Sequence, residues 1–104
     1  MRNFFSISLQ FTAALLVTGC VSLEQAAPPV AMLGLTTTTS KLASLEQGRN
    51  IYITRCAKCH SVEPVQKYSL ARWKEILPEM SIKSKLGQQD AIAVSAYVMA
   101  VLKS

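Results

Sequence analysis

The stretch of this chain that reads as foldable is short, and this limits its architecture more than any other feature. Residues 1–19 hold a charged start at Arg2, an apolar run from Phe4 to Val17 broken by Ser6, Ser8, Gln10 and Thr12, and small residues ahead of Cys20. That layout is the one of a secretory signal peptide. The run is too short and too polar for a membrane span, which takes about 20 mostly apolar residues. Residues 20–42 show no clear periodicity. Ala26-Ala27-Pro28-Pro29 breaks regular structure, and Thr36-Thr37-Thr38-Thr39-Ser40 is low in complexity. The segment is expected to be a flexible linker, reaching about 25 Å as a random coil and about 75 Å fully stretched. Within it, Val30 to Leu35 is the part able to pack on a domain. What remains, 43–104, is about 60 residues, a size at which a core is marginal and a covalent or metal staple is often needed.

The patterning of 43–104 predicts an all-α domain of about three helices. The first is expected over Leu45–Arg55 with Ser44 as N-cap. The second is expected over Leu70–Leu77, capped by Ser69 and ended by Pro78. The third is expected over Gln88–Leu102, where Asp90 suits the first turn and Lys103 the end. Its apolar residues Ile92, Val94, Tyr97, Val98 and Val101 recur mostly at three- and four-residue steps. No segment alternates as a strand does.

Charge narrows the function. The formal net charge is +5, and about +4 once Arg2 is removed with the leader. This suits solubility or an acidic protein partner. Without a dense Lys/Arg run, nucleic-acid binding has little support.

The string Cys56-Ala57-Lys58-Cys59-His60 carries the chemistry. In an exported chain two cysteines suggest a disulfide, but that pairing would strain a tight turn and leave His60 without a role. A thioredoxin-like reading needs a βαβ setting, and zinc needs about four ligands, whereas His60 is the only histidine. C-x-x-C-H is the haem c attachment motif. On a helical turn, positions i and i+3 project from one face, so Cys56 and Cys59 can add to the two vinyl groups on one porphyrin edge. His60 can then turn a ring nitrogen to the iron as proximal ligand. Its other nitrogen needs an acceptor, for which a backbone carbonyl near Pro64 is a candidate.

With these residues in hand, 45–104 resembles a small bacterial class I c-type cytochrome carrying one haem. Gly48 and Tyr52 precede the motif where that family places a small residue and an aromatic, and Val94 and Tyr97 lie on the last helix where it places an aliphatic and an aromatic. The resemblance implies that these two helices cross at Gly48, with Tyr52 and Tyr97 beside the contact. It also implies a helical domain wrapped around a covalently bound haem.

A sixth iron ligand has two methionine candidates after the motif. Met80 follows Pro78 and Glu79 in an expected loop, able to turn back to the iron. Met99 lies inside the last helix, where core packing is its commoner role. The run from Trp73 to Met80 resembles small cytochrome domains with a tryptophan seven residues before the ligand methionine. The interval from His60 to Met80 is shorter than in the mitochondrial-type family, which leaves five-coordinate iron, a lysine or Met99 as alternatives. Trp73 can contact a haem propionate through its indole N–H or pack on the haem edge. Arg55 and Arg72 can pair with propionates or stand solvated.

Val17-Thr18-Gly19-Cys20 resembles the bacterial lipobox, which implies that Cys20 becomes the first mature residue and carries lipid. The alternative is an ordinary signal peptide in which Cys20 is incidental. Val21, not Asp, after the cysteine leans towards the outer membrane. Six-coordinate iron has no open position for substrate, and the sequence shows no nucleotide loop, catalytic triad or second haem motif. The expected protein is therefore an electron carrier and not an enzyme, tethered to a membrane and facing the periplasm. Its expected partners are redox proteins: a dehydrogenase, another cytochrome or a terminal reductase. A haem-based sensor with a labile sixth ligand, and an accessory subunit of one oxidoreductase, are the alternatives.

Overall fold

The computed structural model describes residues 21–57 and 61–104. Its described residues form four α-helices and two short 3-10 turns, with no strand among them. Helix α1 is Leu23–Ala26, α2 is Thr39–Thr54, α3 is Leu70–Lys83 and α4 is Gln88–Lys103. The 3-10 turns are Val30–Leu33 and Val65–Lys67. Among these residues no helix is long and apolar enough to cross a membrane.

Local chemistry explains most of the boundaries. Ser69 caps α3 as expected, its hydroxyl accepting from the Arg72 N–H at 3.2 Å. Asp90 and Lys103 sit at the ends of α4 that favour their charges. Two boundaries differ from expectation. Helix α2 starts six residues before Leu45, capped by the Thr38 hydroxyl, which accepts from the Lys41 N–H at 3.4 Å. Ser44, expected as the cap, lies inside the helix and donates to the Ser40 carbonyl at 3.2 Å. The threonine run supplies an earlier cap, and Leu42 packs against the core on the added turn.

The second difference is at Pro78, which lies within α3 and does not end it. Proline removes one helical hydrogen bond and crowds the preceding turn. Here Leu77 is buried, and Ile76 and Met80 pack against the core on either side of the proline, so tertiary contacts hold both halves.

The core centres on the crossing of α2 and α4, where Val94, Tyr97, Val98 and Val101 are almost fully buried. Gly48 makes the crossing possible. A Cβ there would stand 2.1 Å from the Ala93 carbonyl oxygen and 2.9 Å from the Tyr97 Cβ. Tyr52 and Tyr97 flank the contact with ring centroids 6.1 Å apart. Trp73 continues the row, edge-on to Tyr52 at 6.1 Å and to Tyr68 at 5.4 Å.

Part of the segment 20–42 expected as a linker packs on the domain, as was open for Val30 to Leu35, and the packed part begins earlier, at Ala26. Ala26, Ala27 and Val30 are buried, and Leu33 and Leu35 pack beside them. The Ala27 carbonyl accepts from Arg49 Nε at 3.0 Å, and the Pro28 carbonyl accepts from the Tyr97 hydroxyl at 2.7 Å. Pro28 and Pro29 exclude helix yet leave their carbonyls free to accept, and this turns an apparent breaker into a strap. The strap ends at Gly34, whose φ of +64° is the left-handed conformation that glycine adopts without strain.

Candidate functional site

Cys56 lies just past the last turn of α2, its N–H bonded to the Ile51 carbonyl at 3.2 Å. It is a buried free thiol. Burial pushes the thiol pKa up, partly offset by a hydrogen bond with Ser84 and by the charge of Arg55. Lys58, Cys59 and His60 lie outside the described residues, as does Cys20.

The chain on the far side of the motif is held by aromatic tips. Tyr52 donates its hydroxyl to the Glu63 carbonyl, and burial drives the Tyr52 pKa well above the ordinary phenol value. The Trp73 indole N–H donates to the Val65 carbonyl at 2.7 Å. Pro64, whose neighbourhood was expected to offer an acceptor for the His60 ring, gives its carbonyl to the Lys67 N–H at 3.0 Å. Glu63, Pro64 and Val65 thus each accept a hydrogen bond through the backbone carbonyl.

Met80 faces the same cleft as Cys56. Tyr52, Cys56, Ala57, Val62, Glu63 and Met80 line a cleft of about 10 Å³, room for no more than one water molecule. Cys56 and Met80 thus border one cleft, with Met80 on α3 and not on the loop expected for it. Met99 lines the groove between α3 and α4 and takes no part in the Cys56 cleft.

Trp73 is almost fully buried with its N–H committed to Val65. The propionate contact considered from sequence is therefore not available to it in this conformation. Arg55 is likewise engaged, donating to the Ser84 and Lys85 carbonyls at 3.1 Å each and pairing with Asp90 at 3.5 Å. This caps the C-terminal end of α3 and ties it to the residue beside Cys56. Arg72 pairs with Glu75 at 2.7 Å on an exposed face. The cap made by Arg55 and the hydrogen bond of Ser84 to the thiol were not foreseen, since each joins segments about 30 residues apart and leaves no local signature.

Compared with a porphyrin, the cleft has suitable donors and unsuitable space. A thiol and a thioether border one largely apolar site, the donor types that hold haem iron and its vinyl groups. The volume between them is far below that of the ring, so the second half of α3 must stand back from α2 to admit one. No family model matches the chain, and no curated protein or solved structure is detectably similar to it.

Proposed function

We propose that this protein is a membrane-tethered electron carrier with one covalent haem c. The observation that carries the reading is the Cys56-Ala57-Lys58-Cys59-His60 string beginning at the end of α2, with Met80 across the cleft from Cys56. Cys56 and Cys59 would hold the group through thioethers, His60 would be the proximal iron ligand and Met80 the distal one. Bound there, the group supplies reversible one-electron Fe(III)/Fe(II) chemistry.

The chain's own contribution is positioning. Cys56 hangs from a helix locked by the Gly48 crossing. The segment after His60 is pinned at Glu63 by Tyr52 and at Val65 by Trp73. Arg55 holds the end of α3 close to the cysteine, and with it Met80. Apolar walls lower the local dielectric and so favour the less charged, reduced iron. Cys20 would carry lipid and confine the carrier near membrane-bound partners, which raises their effective concentration. Donors and acceptors would be periplasmic or membrane redox proteins, with the outer membrane favoured by Val21.

The seat of Met80 on a regular helix favours one second reading, a haem sensor. A thioether displaced from the iron by that backbone would leave a labile sixth position. The Met80→Ala variant separates the two. As a carrier, the wild-type protein shows the weak far-red band of a methionine–iron bond, and the variant keeps its haem, loses the band and falls in potential. Carbon monoxide binding by the unaltered protein at neutral pH, with no such band, would establish the sensor reading instead. An unchanged spectrum and potential in Met80→Ala would remove Met80 from the iron.

A further inference from the structure

The strap changes what a lipid on Cys20 would do. Only five residues separate Cys20 from Ala26, the first buried position among the described residues. Those six steps span at most about 20 Å even if extended. They are shorter in fact, because Ser22 and Gln25 close a capping box around α1: the Gln25 N–H reaches the Ser22 hydroxyl at 3.3 Å, and the Ser22 N–H reaches Gln25 Oε1 at 3.2 Å. From Ala27 onward the backbone is bonded to Arg49 on α2 and Tyr97 on α4. A swinging tether is thereby replaced by a short, shaped link.

The same segment carries the wrong side chains for a water-facing surface. Six large apolar residues stand exposed among the described residues, and three of them, Val21 at 56%, Leu23 at 43% and Met32 at 75%, fall on this link and strap. Apolar side chains of this size are stabilised by leaving water. Next to an acyl anchor, even partial burial is reached at high effective concentration.

We propose that the segment 21–33 is a membrane-docking face. Val21, Leu23 and Met32 enter the interfacial layer of the phospholipid bilayer that holds the lipid of Cys20, and the domain rides at a fixed height and orientation. This rests on the lipoprotein reading of Cys20. The cleft beside Cys56, two turns of α2 beyond the Arg49 anchor, is then presented to partners at a set distance from the membrane, without the sweep of a long linker.

The test uses the haem-loaded, lipidated protein in phosphatidylethanolamine–phosphatidylglycerol vesicles. In that form Cys20, Cys56 and Cys59 are all consumed, so a thiol introduced by Met32→Cys or Ile82→Cys takes a nitroxide label alone. Power saturation with oxygen, which partitions into lipid, and with a water-soluble nickel chelate then reports depth. The expected result is a several-fold higher oxygen-to-nickel accessibility ratio at position 32 than at position 82. Adding Val21→Glu and Leu23→Glu should abolish that difference while the protein stays on the vesicles. Equal, water-like ratios at both positions in a chain whose Cys20 is acylated by mass would overturn the docking face and leave the lipoprotein reading standing. A mature Cys20 without lipid, in a protein that does not sediment with vesicles, would overturn both.

Discussion

The α2–α4 crossing and the α3 flank are built from similar residues to different tolerances. At the crossing, two backbones meet over a glycine with no room for one further carbon. Along α3 the packing is open. A groove of about 470 Å³ runs between α3 and α4, bordered by Leu77, Pro78, Ile92 and Met99, and Ile82 and Ile92 are largely exposed. Tight interiors transmit any change of volume, whereas loose ones absorb it. One half of the molecule is thus a fixed frame for Cys56, and the other packs more loosely against α4. A haem held between the two sulfurs, as proposed, would need more room than the cleft of about 10 Å³ offers.

The contrast can be broken from its rigid side. Gly48→Ala should cost about 3 kcal/mol or more, because the new methyl must displace backbone and not a flexible side chain. In a domain of this size that should abolish the cooperative urea transition and the yield of haem-loaded protein. Alkaline pH attacks the same crossing. Burial pushes the Tyr97 phenol from 10.0 up to about 12, against a lowering by Arg49. A raised acid pKa means that the folded state holds the proton more tightly than the unfolded chain. Its contribution is therefore complete below about pH 10 and is lost as pH rises towards 12, worth on the order of 2 kcal/mol. Urea midpoints measured across that window should fall, and tyrosinate absorbance should rise together with unfolding.

Smaller effects sharpen the comparison. Tyr97→Phe leaves the Pro28 carbonyl without its donor and should cost about 1–2 kcal/mol, with proteolysis near 26–33 rising before global unfolding. Without the phenol, the alkaline loss of stability should shrink as well. On the open flank, Ala91→Leu extends carbons into the groove and should be neutral or add up to about 1 kcal/mol. A destabilisation by Ala91→Leu comparable to that of Gly48→Ala would show that both sides are packed alike.

What the sequence disclosed follows the range of the forces involved. Ser69, Asp90 and Lys103 act within a turn of their own helix and were legible as caps and end charges. Gly48 was legible through the resemblance, and the close helix contact it implied is present. The cysteine–histidine string is a local pattern, and Met80 lines one cleft with Cys56. Val30 to Leu35 was legible as able to pack, but the hydrogen bonds of the strap were not, because they run from Ala27 to Arg49 and from Pro28 to Tyr97, across gaps that composition does not encode. Pro78 was expected to end its helix because the buried neighbours that carry α3 through it become apparent only in the fold. Trp73 and Arg55 were read as candidate partners of a cofactor, yet their donors hold the Val65, Ser84 and Lys85 carbonyls in the folded chain.

The account stands most directly on the covalent state of Cys56 and Cys59. Intact-mass spectrometry of the chain, expressed in cells that mature c-type cytochromes, should show one added haem, no titratable thiol at either position, and a red protein whose colour survives acid-acetone extraction. A colourless chain of unmodified mass, with both thiols open to alkylation, would contradict it.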